Sequence, residues 1–294
     1  MAGGCFSQRI WTKALVCMST SERRFSLYSV KQDVQSFFLD DSHWAYQYGS
    51  KVTSCNIDSV FYKKQMEVIF EDVYPHDVTG KAIKELLAEG FLKAEPRFIG
   101  KGKDVPIIFV CKRSRRYISR EITTRIEIVD RFCDDEVNRG VGKYAEILFA
   151  HMLEKNQFQV VDRHTKSFRG KTWGKSGKNL DFIVEKDGIS YGMEVKNTFD
   201  YMPQDEFEEK LDMCQFLGLL PVFPLRYPSP QQFELMDEID GLALTFKTRV
   251  FPPGNQQLVT SIWNHFRLPV NIWEYILPPI EAIFLNYHHR QLSK

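Results

Sequence analysis

The chain has 294 residues, of which 43% are hydrophobic and 26% charged, so it is globular, can bury a substantial core and has a length typical of about two domains. A formal net charge of +1 does not by itself indicate a nucleic-acid partner. No apolar run is long enough to span a bilayer, so no membrane partner is expected. The six cysteines are scattered without a CxxC pair, which fits neither a zinc site nor a secreted disulfide framework.

Residues 1–50 have no clear periodicity, and we expect an N-terminal arm or a helical extension there. The stretch has no acidic residue before Glu22 but carries Arg9, Lys13 and several serines. This composition also occurs in organelle transit peptides. Organelle targeting therefore stays open beside the expected cytoplasmic or DNA-associated location.

Residues 51–125 predict two helices followed by a hairpin. The first helical pattern covers residues 58–74 with Asp58 as its N-cap, and the second covers residues 78–89 and ends at Gly90. Two strands, residues 91–100 and 106–114, then flank the basic turn KGKD. This order resembles a winged helix-turn-helix domain. Such a domain has a further helix before these two, and the sequence leaves open whether residues 31–48 form it.

The resemblance implies that the helix around residues 79–89 recognises DNA and that a basic turn forms the tip of the wing. Basic residues dominate from Lys81 to Arg125, whereas residues 200–240 are mostly acidic, so one face of the protein is expected to be basic. Phosphate contacts from such residues give affinity without reading sequence, although surface lysines of this kind are also common on solvated faces. The predicted contacts are Lys81, Lys84, Lys101, Lys103, Arg113, Arg115 and Arg116.

Residues 126–250 alternate between helix and strand, which predicts an α/β domain with helices on both sides of a sheet. The helix at 141–158 precedes a short strand at 158–162, a long basic loop at 163–178 and an apolar hairpin at 179–197. A further helix and strand follow, and residues 241–251 predict one more strand. Residues 251–294 are expected to form a C-terminal helical extension with a break at Pro278–Pro279.

The basic loop interleaves positive charges with aromatic side chains, a pattern that suits a clamp on a nucleic-acid backbone or a base-stacking contact. A flexible solvated loop is the alternative. The predicted contacts in this loop are Arg169, Lys171, Trp173, Lys175 and Lys178.

The hairpin carries charges on the face that a buried strand turns toward a core. Asp187-Gly188 is a favoured pair for a two-residue type I′ turn, and the register that it sets pairs Asp181 with Glu194. Phe182, Val184, Met193 and Val195 then form one apolar face, whereas Asp181, Gly192, Glu194 and Lys196 share the other.

Directly opposed carboxylates repel each other, and a bound divalent cation would offset that repulsion. Gly192 is expected to leave space for the cation, and Lys196 to reach a phosphate or a water molecule. Upstream, Glu146 lies at the edge of a helical apolar stripe between the small residues Gly142 and Ala150. Those small residues would let the helix approach the sheet and bring Glu146 toward Asp181.

Glu146 on a helix, Asp181, and the sequence EVK at 194–196 together resemble the PD-(D/E)xK phosphodiesterase superfamily, which includes restriction endonucleases and Holliday-junction resolvases. The resemblance covers about residues 126–250, with Asn179-Leu180 standing where the name motif has proline. It implies a mixed central β-sheet flanked by helices. It also implies that Asp181, Glu194 and the Val195 carbonyl bind Mg²⁺ (or Mn²⁺ in its place), that Glu146 helps to hold a metal, and that Lys196 positions the attacking water.

The expected function is that of a Mg²⁺-dependent DNA endonuclease that hydrolyses phosphodiester bonds in duplex DNA. Cutting of both strands would be natural for a homodimer. Two alternatives stay open: a DNA-binding regulator whose nuclease-like domain does not cut, and a nuclease that acts on RNA or branched DNA.

Overall fold

The computed structural model describes residues 26–40, 42–46 and 59–294. Most of the expected N-terminal arm and the predicted N-cap Asp58 lie outside these ranges. In what is described, helices and strands mix throughout the chain, so the α/β class is confirmed.

The N-terminal unit combines helices with a small antiparallel sheet. Its strands pair in the order β1-β3-β2. The second helix begins at Lys63 rather than near Asp58, because Phe61 and Tyr62 pair as a strand with Val110 and Phe109. In chain order the elements are α1 Leu27–Phe37, β1 Phe61–Tyr62, α2 Lys63–Ile69, α3 His76–Ala88, β2 Leu92–Ile99 and β3 Val105–Lys112.

This unit has its own aromatic core. Phe37 lies 4.9 Å from Phe61 and 5.6 Å from Phe70, measured between ring centroids, and both contacts are edge-on. Ile83 and Leu86 bring α3 into the same cluster. Helix α1 therefore packs in the same core as α3, and it overlaps the first part of residues 31–48, for which the sequence pattern leaves a helix undecided.

Helix α4, Ser119–Phe132, connects the N-terminal unit to the rest of the chain. Its buried residues Ile122 and Val129 pack in one cluster with Phe109 of β3 and with Ile262 of α8, Gln256–Phe266. The domain boundary expected after residue 125 therefore falls inside a helix whose core is shared by both parts.

The second part of the chain is built on a five-stranded mixed sheet with the order β10-β9-β8-β7-β4. Strand β7 is antiparallel to both β4 and β8, whereas β8, β9 and β10 run parallel. In chain order the elements are α5 Asp135–Lys155, β4 Gln159–Thr165, β5 Ser167–Phe168, β6 Lys171–Thr172, β7 Leu180–Lys186, β8 Ile189–Met193, α6 Gln204–Leu217, β9 Leu220–Leu225, α7 Pro230–Glu238 and β10 Leu242–Thr245.

Helices cover both faces of this sheet. On one face, Phe149 of α5 and Phe284 of the C-terminal helix α9, Pro278–Leu292, pack against the apolar side of the hairpin. On the other face, Phe207 and Leu217 of α6 pack with Met236 of α7. The sheet is therefore a central layer whose two sides are both buried.

The C-terminal residues differ from the expected extension. Residues 241–251 form two strands, β10 and β11 Arg249–Phe251, and β11 pairs in parallel with β12, Val270–Ile272. The two prolines at 278 and 279 begin helix α9, Pro278–Leu292, instead of breaking one, because proline lacks only an N–H group that the first helical turn leaves unbonded. Helix α9 belongs to the core of the central sheet rather than to an appendage. Within the described ranges, no helix is both long and apolar enough to cross a membrane.

A buried ion pair fixes the N-terminal unit to the sheet. Arg226, just after β9, donates from both terminal nitrogens to the Glu71 carboxylate at 2.7 and 2.6 Å. Arg226 is 1% exposed and the side chain of Glu71 is 8% exposed. His76 stacks on Tyr201 beside this pair, with 4.1 Å between the ring centroids. The two hydrogen bonds between Arg226 and Glu71 fix the orientation of the two side chains as well as their distance.

We predict that Glu71→Gln lowers the free energy of unfolding by about 3 kcal/mol near neutral pH, because Arg226 is left buried without a counterion. Burial alone would raise the pKa of Glu71, but Arg226 and His76 hold it below the usual 4.5. A depressed folded-state pKa stabilises the protein fully above about pH 4.5, and this stabilisation is lost as the pH falls through the lower value. Urea unfolding across a pH series should therefore show the largest difference between wild type and variant above pH 4.5 and a shrinking difference in acid.

Glu89→Gln serves as the control, because Glu89 forms an exposed pair with Lys31. Its effect on the free energy of unfolding should be small at every pH, because an exposed ion pair contributes little to stability. A difference between wild type and Glu71→Gln that is the same at pH 3 as at pH 7 would contradict the assignment of this ion pair.

Candidate functional site

The charged hairpin has the predicted turn and register. Asp187 and Gly188 have φ of 51° and 81°, and Lys186 pairs with Ile189. The last pair of the ladder, Phe182 with Met193, places Asp181 across from Glu194 one step beyond it. The predicted apolar face is also confirmed, since Phe182, Val184, Met193 and Val195 all belong to one core cluster.

Gly192 does not make room for a cation, so that prediction is wrong. A Cβ atom at this position would lie 2.6 Å from the Cys214 Sγ and 3.0 Å from a methyl group of Leu180. The missing side chain instead lets α6 approach the strand. The second face of the hairpin is therefore covered by a helix, not by solvent.

Three side chains of the candidate site converge at the end of the sheet. Glu146, His164 and Asp181 each offer a ligand atom, and these atoms all lie within 4.8 Å of one another. The Nε2 of His164 is 3.7 Å from a Glu146 oxygen, and the Val195 N–H donates to Asp181 Oδ2 at 2.7 Å. Two carboxylates and an imidazole form a set that can hold a divalent metal ion.

His164 is the member of this group that the sequence did not single out. Arg163 pairs with Phe182 and Thr165 with Leu180, so His164 lies across from Asp181 on the neighbouring strand. The sequence predicts a loop at this residue, because the run of charges from Arg163 onward hides the end of the strand. A strand continued to Thr165 would have signalled the contact.

Glu194 and Lys196 are held by α6 rather than by the group of three. Lys210 Nζ donates to Glu194 Oε2 at 2.6 Å, and both side chains are almost fully buried. Lys196 Nζ donates to Glu206 at 2.6 Å. Lys210 lies in the apolar stripe of α6 between Phe207 and Leu211. A lysine in such a stripe is the sequence signal that could have identified it as a buried partner of a carboxylate.

Burial and mutual repulsion act on the carboxylates together. Desolvation, with the Asp181 charge, raises the pKa of Glu194 to about 7, and Lys210 opposes the rise. Desolvation also raises the pKa of Asp181 and of Glu146, and for Glu146 the Asp181 charge adds to it. The opposed carboxylates thus destabilise one another as expected.

The four residues predicted to be catalytic line one cleft, with a volume of about 530 Å³: Glu146, Asp181, Glu194 and Lys196. Gly142 opens this cleft, because no atom lies within 4 Å of the place where its Cβ would be. Ala150 is buried in the core, so only Ala150, not Gly142, fits the expected close approach of helix and sheet. The cleft is lined by Tyr62, Lys64, Phe132, Cys133, Asn138, Gly142, Glu146, Asp181, Glu194, Val195, Lys196, Asn197, Thr198, Phe199, Asp200 and Arg249.

Asn197 braces the strand ending that carries Glu194 and Lys196. Its amide donates to the Val141 carbonyl at 3.0 Å and to the Val250 carbonyl at 2.7 Å, and accepts from the Val250 N–H at 2.9 Å. This buried side chain ties three elements together: the strand end, α5 and β11. It thereby links the segment that follows Glu194 to the helix that carries Glu146.

The basic segment 163–178 is partly a small hairpin rather than a free loop. Trp173 is 2% exposed and Phe168 8% exposed, so the prediction that Trp173 stacks on bases is wrong. The cations of this segment make contacts with other residues of the chain at the surface. Arg169 pairs with Glu185, Lys175 with Asp212 and Lys178 with Glu209, and Lys171 donates to the Phe216 carbonyl.

Most of the predicted basic residues of the N-terminal unit are exposed as well. Lys81 and Lys84 lie on the exposed side of α3, although Lys81 is 3.2 Å from Asp77. Lys101 and Lys103 lie in the exposed turn between β2 and β3, and Arg113 and Arg116 are exposed after β3. Arg115 is half-buried beside Glu121 at 3.5 Å.

Comparison with protein-family models, with curated proteins and with solved structures gives no match. The functional interpretation therefore depends on the geometry of the cleft and on the residues that line it.

Proposed function

We propose that the protein is a divalent-metal-dependent nuclease that hydrolyses phosphodiester bonds of DNA. The observation that carries the proposal is the convergence of Glu146, His164 and Asp181. Two of these residues, Glu146 and Asp181, line a cleft that Glu194 and Lys196 also line. Buried carboxylates that repel one another are costly, and a divalent cation is the partner that would offset the cost.

The fold supports the same proposal. A mixed central sheet flanked by helices is what the PD-(D/E)xK resemblance implies, and the five-stranded sheet with α5 and α9 on one face and α6 and α7 on the other has this form. The candidate residues stand on strand ends of that sheet and on a helix beside it. Rigid elements of this kind hold reacting groups in a fixed geometry.

Each side chain then has a definable task. Glu146, His164 and Asp181 would hold Mg²⁺ or Mn²⁺, which when bound polarises a phosphoryl oxygen and lowers the pKa of a coordinated water molecule. The Lys196 ammonium, oriented by Glu206, is placed to donate to the attacking water or to a phosphate oxygen. Glu194 and the Val195 carbonyl would be further ligands, with Lys210 balancing the charge of Glu194.

The N-terminal unit supplies the proposed contact with DNA. The order helix, strand, two helices and antiparallel hairpin, with β1 added to the hairpin, fits the winged helix-turn-helix pattern inferred from the sequence. The exposed lysines at the hairpin tip and on α3 would contact phosphates. Because Tyr62 and Lys64 of this unit line the cleft, DNA held by the unit would lie beside the carboxylates.

We predict that Asp181→Asn lowers the rate of Mg²⁺- or Mn²⁺-dependent cleavage of plasmid and duplex oligonucleotides by more than about 100-fold. Replacing a residue that only hydrogen-bonds a metal ligand already lowers metal affinity or activity by about 10–100-fold. DNA affinity measured in Ca²⁺ should change little. Asp162→Asn removes an exposed carboxylate from the same strand as His164, outside the cleft, and should cut like wild type.

Wild-type protein that binds DNA but cuts no duplex, single-stranded, four-way or RNA substrate with either metal would overturn the proposal. That result would favour a non-cleaving DNA-binding regulator. Preferential cutting of RNA or branched DNA would instead correct the substrate.

We predict that the imidazole of His164 favours Mn²⁺ over Mg²⁺, because nitrogen ligands bind transition metals better than they bind Mg²⁺. His164→Ala should lower Mn²⁺ affinity, measured by calorimetry without DNA, by about tenfold or more while changing Mg²⁺ affinity less. His151→Ala, which removes an exposed histidine of α5, is the control. Unchanged Mn²⁺ affinity would rule out coordination by His164, and equal losses for both metals would contradict the predicted preference.

The contribution of the wing can be measured by the salt dependence of DNA binding. Each phosphate contact adds about 0.9 to the slope of log affinity against log salt, so Lys101→Gln with Lys103→Gln should reduce that slope by up to about 1.8. Lys155→Gln, an exposed lysine at the end of α5, should leave it unchanged. An unaltered slope in the double variant would exclude the hairpin tip from the DNA contact.

A further inference from the structure

One cation of the cleft has no counterion among the residues that the structure describes. Lys196 pairs with Glu206, and Lys64 pairs with Asp200. Arg249 of β11 lines the same cleft, is 4% exposed, and forms no ion pair with any described residue. Its Nε is buried without a hydrogen-bond partner among those residues.

The surroundings hold the guanidinium without neutralising it. One terminal nitrogen donates to the Asn138 side chain, and the rings of Phe199 and Phe251 lie 5.0 and 5.3 Å from the guanidinium carbon. Burial lowers the pKa of Arg249 to about 10, so the group stays charged at neutral pH. A buried charge without a paired anion is costly, and an anionic ligand would remove the cost.

Helix α5 relates this arginine to the carboxylates. Asn138, Gly142 and Glu146 follow one another at intervals of four residues and all line the cleft. At 1.5 Å per residue, Asn138 and Glu146 are about 12 Å apart along the helix. An anion at Arg249 is therefore a different group from one at Glu146 and Asp181.

We infer that Arg249 binds a non-scissile phosphate of the nucleic-acid strand that lies in the cleft, an inference that rests on the proposed function. A planar guanidinium with free donors matches phosphate oxygens in geometry and charge. Lys64 and Tyr62 form the cleft wall contributed by the N-terminal unit. The strand thus runs from the carboxylates along α5 to Arg249, and this second contact positions the scissile phosphate.

The first test uses inorganic phosphate with the metal-free full chain. Phosphate should raise the melting temperature of wild type relative to chloride at equal ionic strength. Arg249→Met should bind phosphate at least about tenfold more weakly and should not lower the melting temperature without phosphate, because it removes an uncompensated buried charge. Should this variant not fold, Arg249→Gln, which can keep a hydrogen bond to Asn138, carries the same comparison.

Arg125→Met is the matched control, since Arg125 is equally buried but pairs with Glu121 and does not line the cleft. This variant should lose stability and keep phosphate affinity. Unchanged phosphate affinity in both Arg249 variants would overturn the inference, as would binding that Arg125→Met weakens equally.

The second test replaces single phosphates of a cleaved oligonucleotide with uncharged methylphosphonates. A methylphosphonate at one non-scissile position should slow cleavage by wild type by about tenfold or more. The same substitution should not slow cleavage by Arg249→Met any further. Additive effects at every position would overturn the assignment. Phosphate binding lost in Arg249→Met without any cleavage by wild type would overturn the nuclease proposal and leave the anion site in place.

Discussion

The structure of the cleft depends on the burial of carboxylates that repel one another at one end of the central sheet. Asp181 and Glu194 stand on paired strand ends, and Glu146 faces Asp181 from α5. The strand ends stay together because the Val195 N–H bonds Asp181, Lys210 neutralises Glu194, and Asn197 ties the segment to two other elements. The contacts of Val195 and Lys210 compensate for carboxylate charges that the apolar surroundings disfavour, and those of Asn197 satisfy buried backbone groups.

The same principle extends to the contact between the two parts of the chain. Glu71 and Arg226 are buried as a matched pair, so the N-terminal unit is held in one orientation against β9. That orientation brings Tyr62 and Lys64 to the cleft. Charges that are matched, as here and at Lys210, fix the architecture. Arg249 has no matching charge among the described residues, and this is why we propose a ligand for it.

Sequence reasoning was strongest where the chemistry is local. The Asp-Gly turn fixed the register, and alternation along two strands then separated the apolar face from Asp181 and Glu194. Helical periodicity likewise located Glu146 and α3. The PD-(D/E)xK family and the winged-helix assignment stay predictions.

The failures of sequence reasoning concern contacts between distant segments. His164 reaches Asp181 only because β4 continues to Thr165, and Lys210 reaches Glu194 only because Gly192 admits α6. Trp173 looked accessible among lysines, yet acidic residues of α6 take up much of that charge and the ring is buried. Arg249 lies about 50 residues beyond the hairpin, too far for any pattern of spacing to connect it with the cleft.

The lock formed by Glu71 and Arg226 also has a practical consequence for dissecting the protein. Expression of the sheet region without the N-terminal unit would leave the Arg226 guanidinium without its counterion. It would also remove one wall of the cleft and expose the apolar side of α4. A truncated fragment would therefore be expected to aggregate or to bind substrate poorly, and its inactivity would say nothing about the carboxylates. If a truncated fragment is inactive, the cause is to be sought first in the lost contact between the two parts of the chain.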